Sequence, residues 1–162
     1  MKKICIALLV GLSTTIVNAA YGIIDIERVV EQSTYLKQQN AALQQRIKPQ
    51  STQLEALGKQ LEALQQRGQS AAKISDAERQ KLATEYQAKM QEFNQIQQAV
   101  QSTVQSNIQQ MNKTMESRVK QVAEQLRQEN KLEVVLNKNS TLAYDPRYDL
   151  TDKMIQKVNA IK

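Results

Sequence analysis

Two long stretches of the chain repeat apolar residues at helical spacing. Residues 36–64 follow a heptad whose two apolar positions are interrupted only at Asn40 and Gln50. The heptad residues are Leu36, Leu43, Leu57 and Leu64 at one position and Ile47, Leu54 and Leu61 at the other. A sustained repeat of about 3.5 residues requires a helix to bury a narrow stripe against another helix.

The second stretch, residues 76–129, carries an apolar stripe from Leu82 to Leu126. From Val100 onward the stripe follows a 4-4-3 spacing, which is an eleven-residue repeat. That period favours a straight or slightly right-handed helix, unlike the left-handed winding of a heptad. Two long helices joined by a short turn predict a helical hairpin.

Helix-terminating residues mark the tip of this hairpin. A helix predicted over residues 27–67, bent at Pro49, is expected to end with Gly68 in the left-handed conformation. Ser75 and Glu78 then form a capping box, in which each side chain bonds a free backbone amide at the next helix start.

The two ends of the chain have strand-like patterns. Residues 21–26 predict one strand, and residues 132–136 and 141–144 predict two more on either side of a turn. Asp149 is expected to cap a final helix over residues 150–161, with Met154, Ile155 and Val158 on its inner side.

The predicted fold class is therefore mainly α with a small β body. A long antiparallel helical hairpin, the coiled-coil arm of residues 34–129 with its tip near 68–75, projects from a body of residues 20–33 and 130–162.

So small a body has little core, and unpaired strand edges invite pairing with another chain. We expect an oligomer, although the same residues could form a monomeric core. The expected interface residues are Ile23, Ile24, Ile26, Val134, Val135, Leu136 and Leu142.

The first 19 residues have the pattern of a secretory signal peptide. Two lysines precede an apolar run, and Val17, Asn18 and Ala19 offer small residues for cleavage. We expect cleavage after Ala19, with an uncleaved anchor as the alternative. Cys5, the one cysteine, would leave with this segment, so no disulfide is expected.

The composition argues against an enzyme. The chain has no histidine, no cysteine cluster and no glycine-rich phosphate loop. We therefore predict no catalytic, cofactor-binding or metal site. The net charge of +6 falls to +4 when Lys2 and Lys3 leave with the predicted signal peptide, and this mild excess favours acidic polypeptides or anionic lipid head groups, or simply keeps the protein soluble. Without a basic stripe with interleaved aromatics, nucleic acid is not an expected partner.

The second long helix, predicted over residues 76–129, is called the return helix here because it runs back along the first. One part of it is unusual, because residues 93–112 contain no charged residue. This stretch is either a helix face that is simply uncharged or a surface that touches apolar clients without fixed ion pairs. We favour the first interpretation, since glutamine is a good helix former and is abundant along the whole chain.

The layout and several short segments resemble the Skp/OmpH family of periplasmic chaperones. The matching segments are the signal peptide, Gly22-Ile23-Ile24-Asp25, Val29-Val30-Glu31-Gln32, the long hairpin, residues 132–139 and Leu142-Ala143-Tyr144. The resemblance implies a homotrimer whose strands build a shared barrel and whose three arms enclose a cavity. It also implies that unfolded outer-membrane β-barrel precursors are held there without ATP.

A basic cluster that some family members carry on the return helix, proposed there to bind lipopolysaccharide, does not transfer to this chain. The equivalent positions are Ile96, Ser106 and Asn107, and none of them is basic. The remaining candidates for contact with an anionic lipid surface are Lys73, Arg79, Lys81 and Lys89 near the tip. Their simpler interpretation, which we favour, is a solvated helix face.

Two functional hypotheses follow. The first is an ATP-independent holdase for unfolded envelope proteins. The second is a structural coiled-coil adaptor or spacer of the periplasm. Diffuse, client-dependent contacts along the arm would favour the first, and contacts confined to one partner would favour the second.

Overall fold

The computed structural model describes residues 20–69 and 75–161, so the predicted signal peptide and Lys73 lie outside the described residues. The elements in order are β1 (Tyr21–Ile24), α1 (Ile26–Glu31), α2 (Thr34–Gln69), α3 (Asp76–Glu129), β2 (Val134–Asn137) and α4 (Thr151–Ala160). Two 3₁₀ turns, Lys138–Ser140 and Pro146–Tyr148, lie between β2 and α4. The mainly α fold class with a small strand element is confirmed.

The two strands pair in parallel. Tyr21 lies opposite Val134, and Ile24 lies opposite Asn137. The third strand predicted over residues 141–144 is wrong, because this segment is not a strand and the side chain of Leu142 is fully exposed. A strand forms only where its backbone finds a hydrogen-bonding neighbour, and the described part of this single chain gives residues 141–144 none.

The single helix predicted from residue 27 is also wrong, because the structure interrupts it between α1 and α2. The Ser33 side chain accepts a hydrogen bond from the Leu36 backbone amide, at 3.2 Å. A serine that bonds the amide three residues later starts a new helix instead of continuing the old one.

The helix end predicted at Gly68 is wrong as well. Helix α2 continues through Gln69, and no glycine of the described residues has a positive φ. Pro49 lies inside α2, as predicted. At the start of α3, the Ser75 hydroxyl accepts a hydrogen bond from the Glu78 amide at 3.3 Å, so the serine half of the capping box is confirmed.

Helices α2 and α3 pack along each other and run in opposite directions. Ser33 at the start of α2 contacts Met115, whereas Gln53 further along donates a hydrogen bond to Glu92. The order of contacts is thus reversed between the two helices.

The hydrophobic core lies where the arm meets the strands and α4. Its buried residues are Ile24, Val29, Met115, Val122, Leu126, Leu150, Met154 and Val158. The predicted inner side of α4 is confirmed, since Met154 and Val158 are fully buried. Asp149 accepts a hydrogen bond from the Thr151 amide at 2.8 Å, so it bonds the start of α4 as predicted, although the helix begins at Thr151.

Candidate interaction surfaces

The middle of the arm exposes part of its apolar stripe. On α3 no residue is buried between Leu82 and Met111, and on α2 none is buried between Leu43 and Leu57. The apolar α3 residues of the uncharged stretch that are left partly open, which we call the mid-arm face, are Phe93, Ile96, Val100, Val104 and Ile108. Ile108 is the most open of them, with 46% of its surface exposed.

The mismatch between the two apolar repeats explains this opening. The α2 stripe repeats every seven residues, whereas the α3 stripe from Val100 onward repeats every eleven. Two stripes with different periods drift apart around their helices, so they cannot stay face to face over the whole arm. Helices α2 and α3 therefore bury their apolar side chains against each other near the tip and near the body, and they leave these side chains partly exposed in between.

The surroundings of the mid-arm face are polar but uncharged. From Phe93 to Asn112 the side chains around the stripe are Gln, Asn, Ser, Thr and Ala. Each amide side chain can both donate and accept hydrogen bonds, so it can meet either polar group of a peptide backbone. Fixed charges appear only beyond the two ends, for example at Glu92, which pairs with Gln53, and at Lys113.

The structure does not gather the predicted tip cations into one cluster. Arg79 and Tyr86 line a cleft of about 460 Å³ between the helices, next to Leu64. Lys81 lines a different cleft together with two acidic residues of α3. Lys89 is half-buried two turns further along α3. Among the described residues the cations are thus dispersed over the tip.

The residues predicted to form an oligomer interface divide into two groups. Ile23 and Ile24 are buried in the core of this same chain, with 1% of their surface exposed. Ile26 and Val135 are half-buried against that core.

The other three residues remain open to solvent. Val134 and Leu136 expose 41% and 38% of their surface, and Leu142 is fully exposed. In the described residues β2 pairs with β1 alone, so one edge of β2 lies next to these apolar side chains without a strand neighbour. The structure therefore leaves an apolar strand edge, consisting of β2 and Leu142, on the surface.

Several of the shifted pKa values belong to surface ion pairs. Hydrogen bonds from Arg127 and Gln128 lower the pKa of Glu124 to about 2. A hydrogen bond from Lys138, whose Nζ lies 2.8 Å from the carboxylate, lowers the pKa of Asp25. Carboxylates held ionised by neighbouring cations stabilise the fold and are poor proton donors.

Two further kinds of feature are absent from residues 20–69 and 75–161. No group of three or more His, Cys, Asp and Glu side chains is arranged to hold a metal ion. No helix in these ranges is both long and apolar enough to cross a membrane.

Sequence reasoning missed a set of polar contacts at the root of the arm. Asn159 of α4 bonds Thr34 at the start of α2, and Arg118 of α3 bonds the backbone of Ile161. Only the three-dimensional fold brings these residues together, because they are 125 and 43 positions apart. No local pattern in the sequence predicts such contacts.

Comparison with known proteins agrees with this architecture. A solved structure of a candidate OmpH-like outer membrane chaperone from Caulobacter crescentus CB15 has a TM-score of 0.65 to this chain. The two share 20% identity, and the match covers 87% of this chain and 84% of that chain, which shows a common fold. No curated protein matches the chain significantly. The model of the family described as "Outer membrane protein (OmpH-like)" matches residues 20–158, which include both long helices and all but the last few residues of the chain's C-terminal segment. The chain therefore belongs to the OmpH-like family, which confirms the resemblance drawn from its residues.

Proposed function

We propose that this protein is an ATP-independent holdase chaperone of the periplasm. It binds unfolded outer-membrane β-barrel precursors in a cavity between arms and prevents their aggregation. The observation that carries this proposal is the mid-arm face, a long apolar stripe on α3 that α2 leaves partly open and that no charge interrupts. Membership of the OmpH-like family supports the same role.

The chemistry of the mid-arm face suits an unfolded β-barrel client. Such a client alternates apolar and polar side chains, and while it is unfolded many of its backbone N–H and C=O groups lack the hydrogen-bond partners of the folded barrel. Half-exposed aliphatic and aromatic side chains bury the apolar residues of the client, while the surrounding glutamines bond its backbone. Because each contact is small, many together hold the client and none alone prevents release.

A cavity between arms requires more than one copy of the chain. The apolar strand edge of β2 and Leu142 supports association through the body, in which another chain adds strands to the two-stranded sheet. We propose a homotrimer joined through Val134, Leu136 and Leu142. Ile23 and Ile24 contribute by packing β1 from within each chain.

The alternative, a structural coiled-coil adaptor, makes a different use of the arm. An adaptor holds one partner at a fixed position, and its contact residues form a defined patch. A holdase instead touches its client at many positions along the mid-arm face. The two functions are therefore separable by mapping contacts.

Site-specific photo-crosslinking makes this distinction. A benzophenone side chain is placed at Val100 on the mid-arm face or, as a matched control, at Gln121, an exposed residue of α3 outside the uncharged stretch. Each protein is mixed with a urea-denatured outer-membrane β-barrel that is diluted out of urea, and is then irradiated. We expect abundant client crosslinks at Val100 and few at Gln121. Equal crosslinking at both positions, or crosslinking at Gln121 alone, would contradict the proposed binding face.

A further inference from the structure

Leu142 lies in a short stretch after β2, residues 138–144, which we call the Leu142 segment. Its side chain is fully exposed, although exposing a leucine to water is unfavourable. A loop that is free to move would bury such a side chain against the body. Contacts within the chain, on both sides of Leu142, hold the segment so that this side chain stays in water.

The part of the segment before Leu142 is a closed turn. Lys138–Ser140 form a 3₁₀ turn, and Thr141 closes it through the Lys138 carbonyl. The Thr141 backbone amide donates to this carbonyl at 3.0 Å, and the Thr141 hydroxyl donates to it at 2.8 Å. The Thr141 backbone is extended, with φ −122° and ψ 139°, so the chain enters Leu142 in a strand conformation.

Two side chains of this turn attach it to the start of α1. The Lys138 ammonium donates a hydrogen bond to the Asp25 carboxylate at 2.8 Å. The Asn139 side-chain amide donates to the Glu27 carboxylate at 2.9 Å. Neither contact is a local one, because the two pairs are 113 and 112 positions apart in the sequence.

Asp25 is a firm attachment point for the turn. Its carboxylate also caps α1 by accepting a hydrogen bond from the Arg28 backbone amide at 3.1 Å, and its own amide donates to the Thr151 hydroxyl at 2.9 Å. Thr151 is fully buried, and the Asp25 side chain is only 19% exposed. The turn is therefore attached to the packed part of the body.

A further contact lies after Leu142. The Tyr144 hydroxyl donates a hydrogen bond to the Asp149 carboxylate at 3.2 Å. Asp149 lies beside Ile23 of β1, and the next amide, that of Leu150, donates to the Ile23 carbonyl at 2.8 Å. The backbone is thus attached to the body both before and after the exposed Leu142 side chain.

The surroundings of the segment point to a second copy of the chain as its partner. Val134 and Leu136 of β2 are also open to solvent, and within the described residues β2 pairs with β1 alone. The Leu142 segment follows the last residue of β2, Asn137, without a gap. A second copy carries the same open strand edge and the same apolar side chains, so two copies can cover these groups for each other.

We infer that the Leu142 segment is a preformed docking element for a second copy of this chain, with Lys138 and Asn139 as the positioning residues that keep it in place. A segment that is already ordered binds more tightly than a mobile one, because ordering it costs nothing at the moment of docking. The inference rests on the homotrimer proposed above, and it adds the contacts within each chain that prepare the surface.

Sedimentation velocity over a dilution series of purified residues 20–162 measures the association. Lys138→Met removes the charged donor to Asp25 but keeps most of the aliphatic side chain, and Asn139→Ala removes the donor to Glu27. Loss of such an exposed contact changes an equilibrium by up to about fivefold, so we expect each variant to raise the concentration of half-association by about twofold to fivefold.

Two further variants separate positioning from a general loss of charge. Lys120→Met is the matched control, because Lys120 forms an exposed ion pair with Glu116 on the arm, and it should associate like the wild type. Lys138→Arg keeps a charged donor near Asp25 and should retain most of the association. Circular dichroism shows whether each variant is folded, and Asn139→Ala carries the test if Lys138→Met is not.

Amide hydrogen exchange of residues 138–144 gives a second readout, taken below the concentration at which copies associate. Exchange in this segment should be faster in Lys138→Met than in the wild type, while exchange in α3 stays the same. Equal exchange of the segment in both proteins would overturn the inference, because the contact to Asp25 would then not order it.

The association data also distinguish failure of the docking element from failure of the homotrimer. If folded Lys138→Met and Asn139→Ala associate as tightly as the wild type, or if Lys120→Met weakens association equally, the docking element is overturned and the homotrimer stands. If the wild type stays monomeric at every concentration, the homotrimer fails, and the docking element fails with it.

Discussion

Three glycine-to-alanine substitutions should change stability in opposite directions. Gly22 lies in β1, where an added Cβ would be 2.6 Å from Leu150 Cδ1 and 2.9 Å from Leu132 Cδ1. Gly58 and Gly68 lie inside α2, and an added Cβ at either position meets no atom within 4 Å. The same chemical change therefore crowds the body in one case and fills open space in the other two.

The magnitudes follow from these distances. Carbon atoms in contact prefer about 3.5–4.0 Å, so Leu150 must move by about 1 Å to admit a methyl group at Gly22. Leu150 has only 8% of its surface exposed, so little room exists for that movement. We expect Gly22→Ala to lower the free energy of unfolding by about 1–3 kcal/mol. Gly58→Ala and Gly68→Ala should each raise it by about 0.5–1 kcal/mol, because alanine loses less conformational freedom in a helix.

Urea unfolding followed by circular dichroism measures all three changes. The protein concentration must be equal in each experiment, because the proposed association would stabilise the folded state. Gly22→Ala with unchanged stability would show that Leu150 repacks freely and would refute the argument from close packing. Destabilisation by Gly68→Ala would show that Gly68 ends the helix in the left-handed conformation, as the sequence predicts and the structure contradicts.

Three further predictions concern the core, acid stability and the mid-arm face. Met154→Ala should lower the free energy of unfolding, measured by urea unfolding, by about 2–5 kcal/mol, because truncating this fully buried side chain would leave a cavity. A loss below about 1 kcal/mol would argue against the core position of α4. The folded-state pKa of Glu124 is lowered from 4.5 to about 2, so its stabilising effect is present above pH 4.5 and is lost as the pH falls toward 2. Glu124→Gln should therefore be less stable than the wild type at pH 7 and equal to it near pH 2, and a constant difference at both pH values would be inconsistent with the ion pair to Arg127. Ile96 and Ile108 lie about 18 Å apart along α3, so Ile96→Ser and Ile108→Ser should each weaken client binding by less than about 1 kcal/mol by fluorescence titration and their effects should add when combined. Loss of all binding in either single variant would disprove dispersed contacts.

Local sequence signals predicted the parts of the fold that depend on local chemistry. The start of α3 follows from Ser75, whose hydroxyl bonds an amide three residues away, and the inner side of α4 follows from the spacing of Met154 and Val158. Each of these features is determined within one or two helical turns. The small strand element followed from β-branched residues near both chain ends.

The features that sequence reasoning missed depend on distant residues. The break at Ser33 is held by Asn159, and residues 141–144 lack the strand neighbour that an extended segment needs. The mid-arm face was visible as an uncharged stretch, but its exposure depends on how the heptad of α2 and the longer repeat of α3 drift apart. Periodicity shows which side chains form a stripe and does not show how well the opposing stripe covers them.

The most direct test of the holdase function is light scattering. A urea-denatured outer-membrane β-barrel is diluted into buffer with or without purified residues 20–162 and with no nucleotide present. Suppressed aggregation near one oligomer per client is the predicted result. Unchanged aggregation in the presence of a well-folded oligomer would contradict the holdase function and favour the structural adaptor.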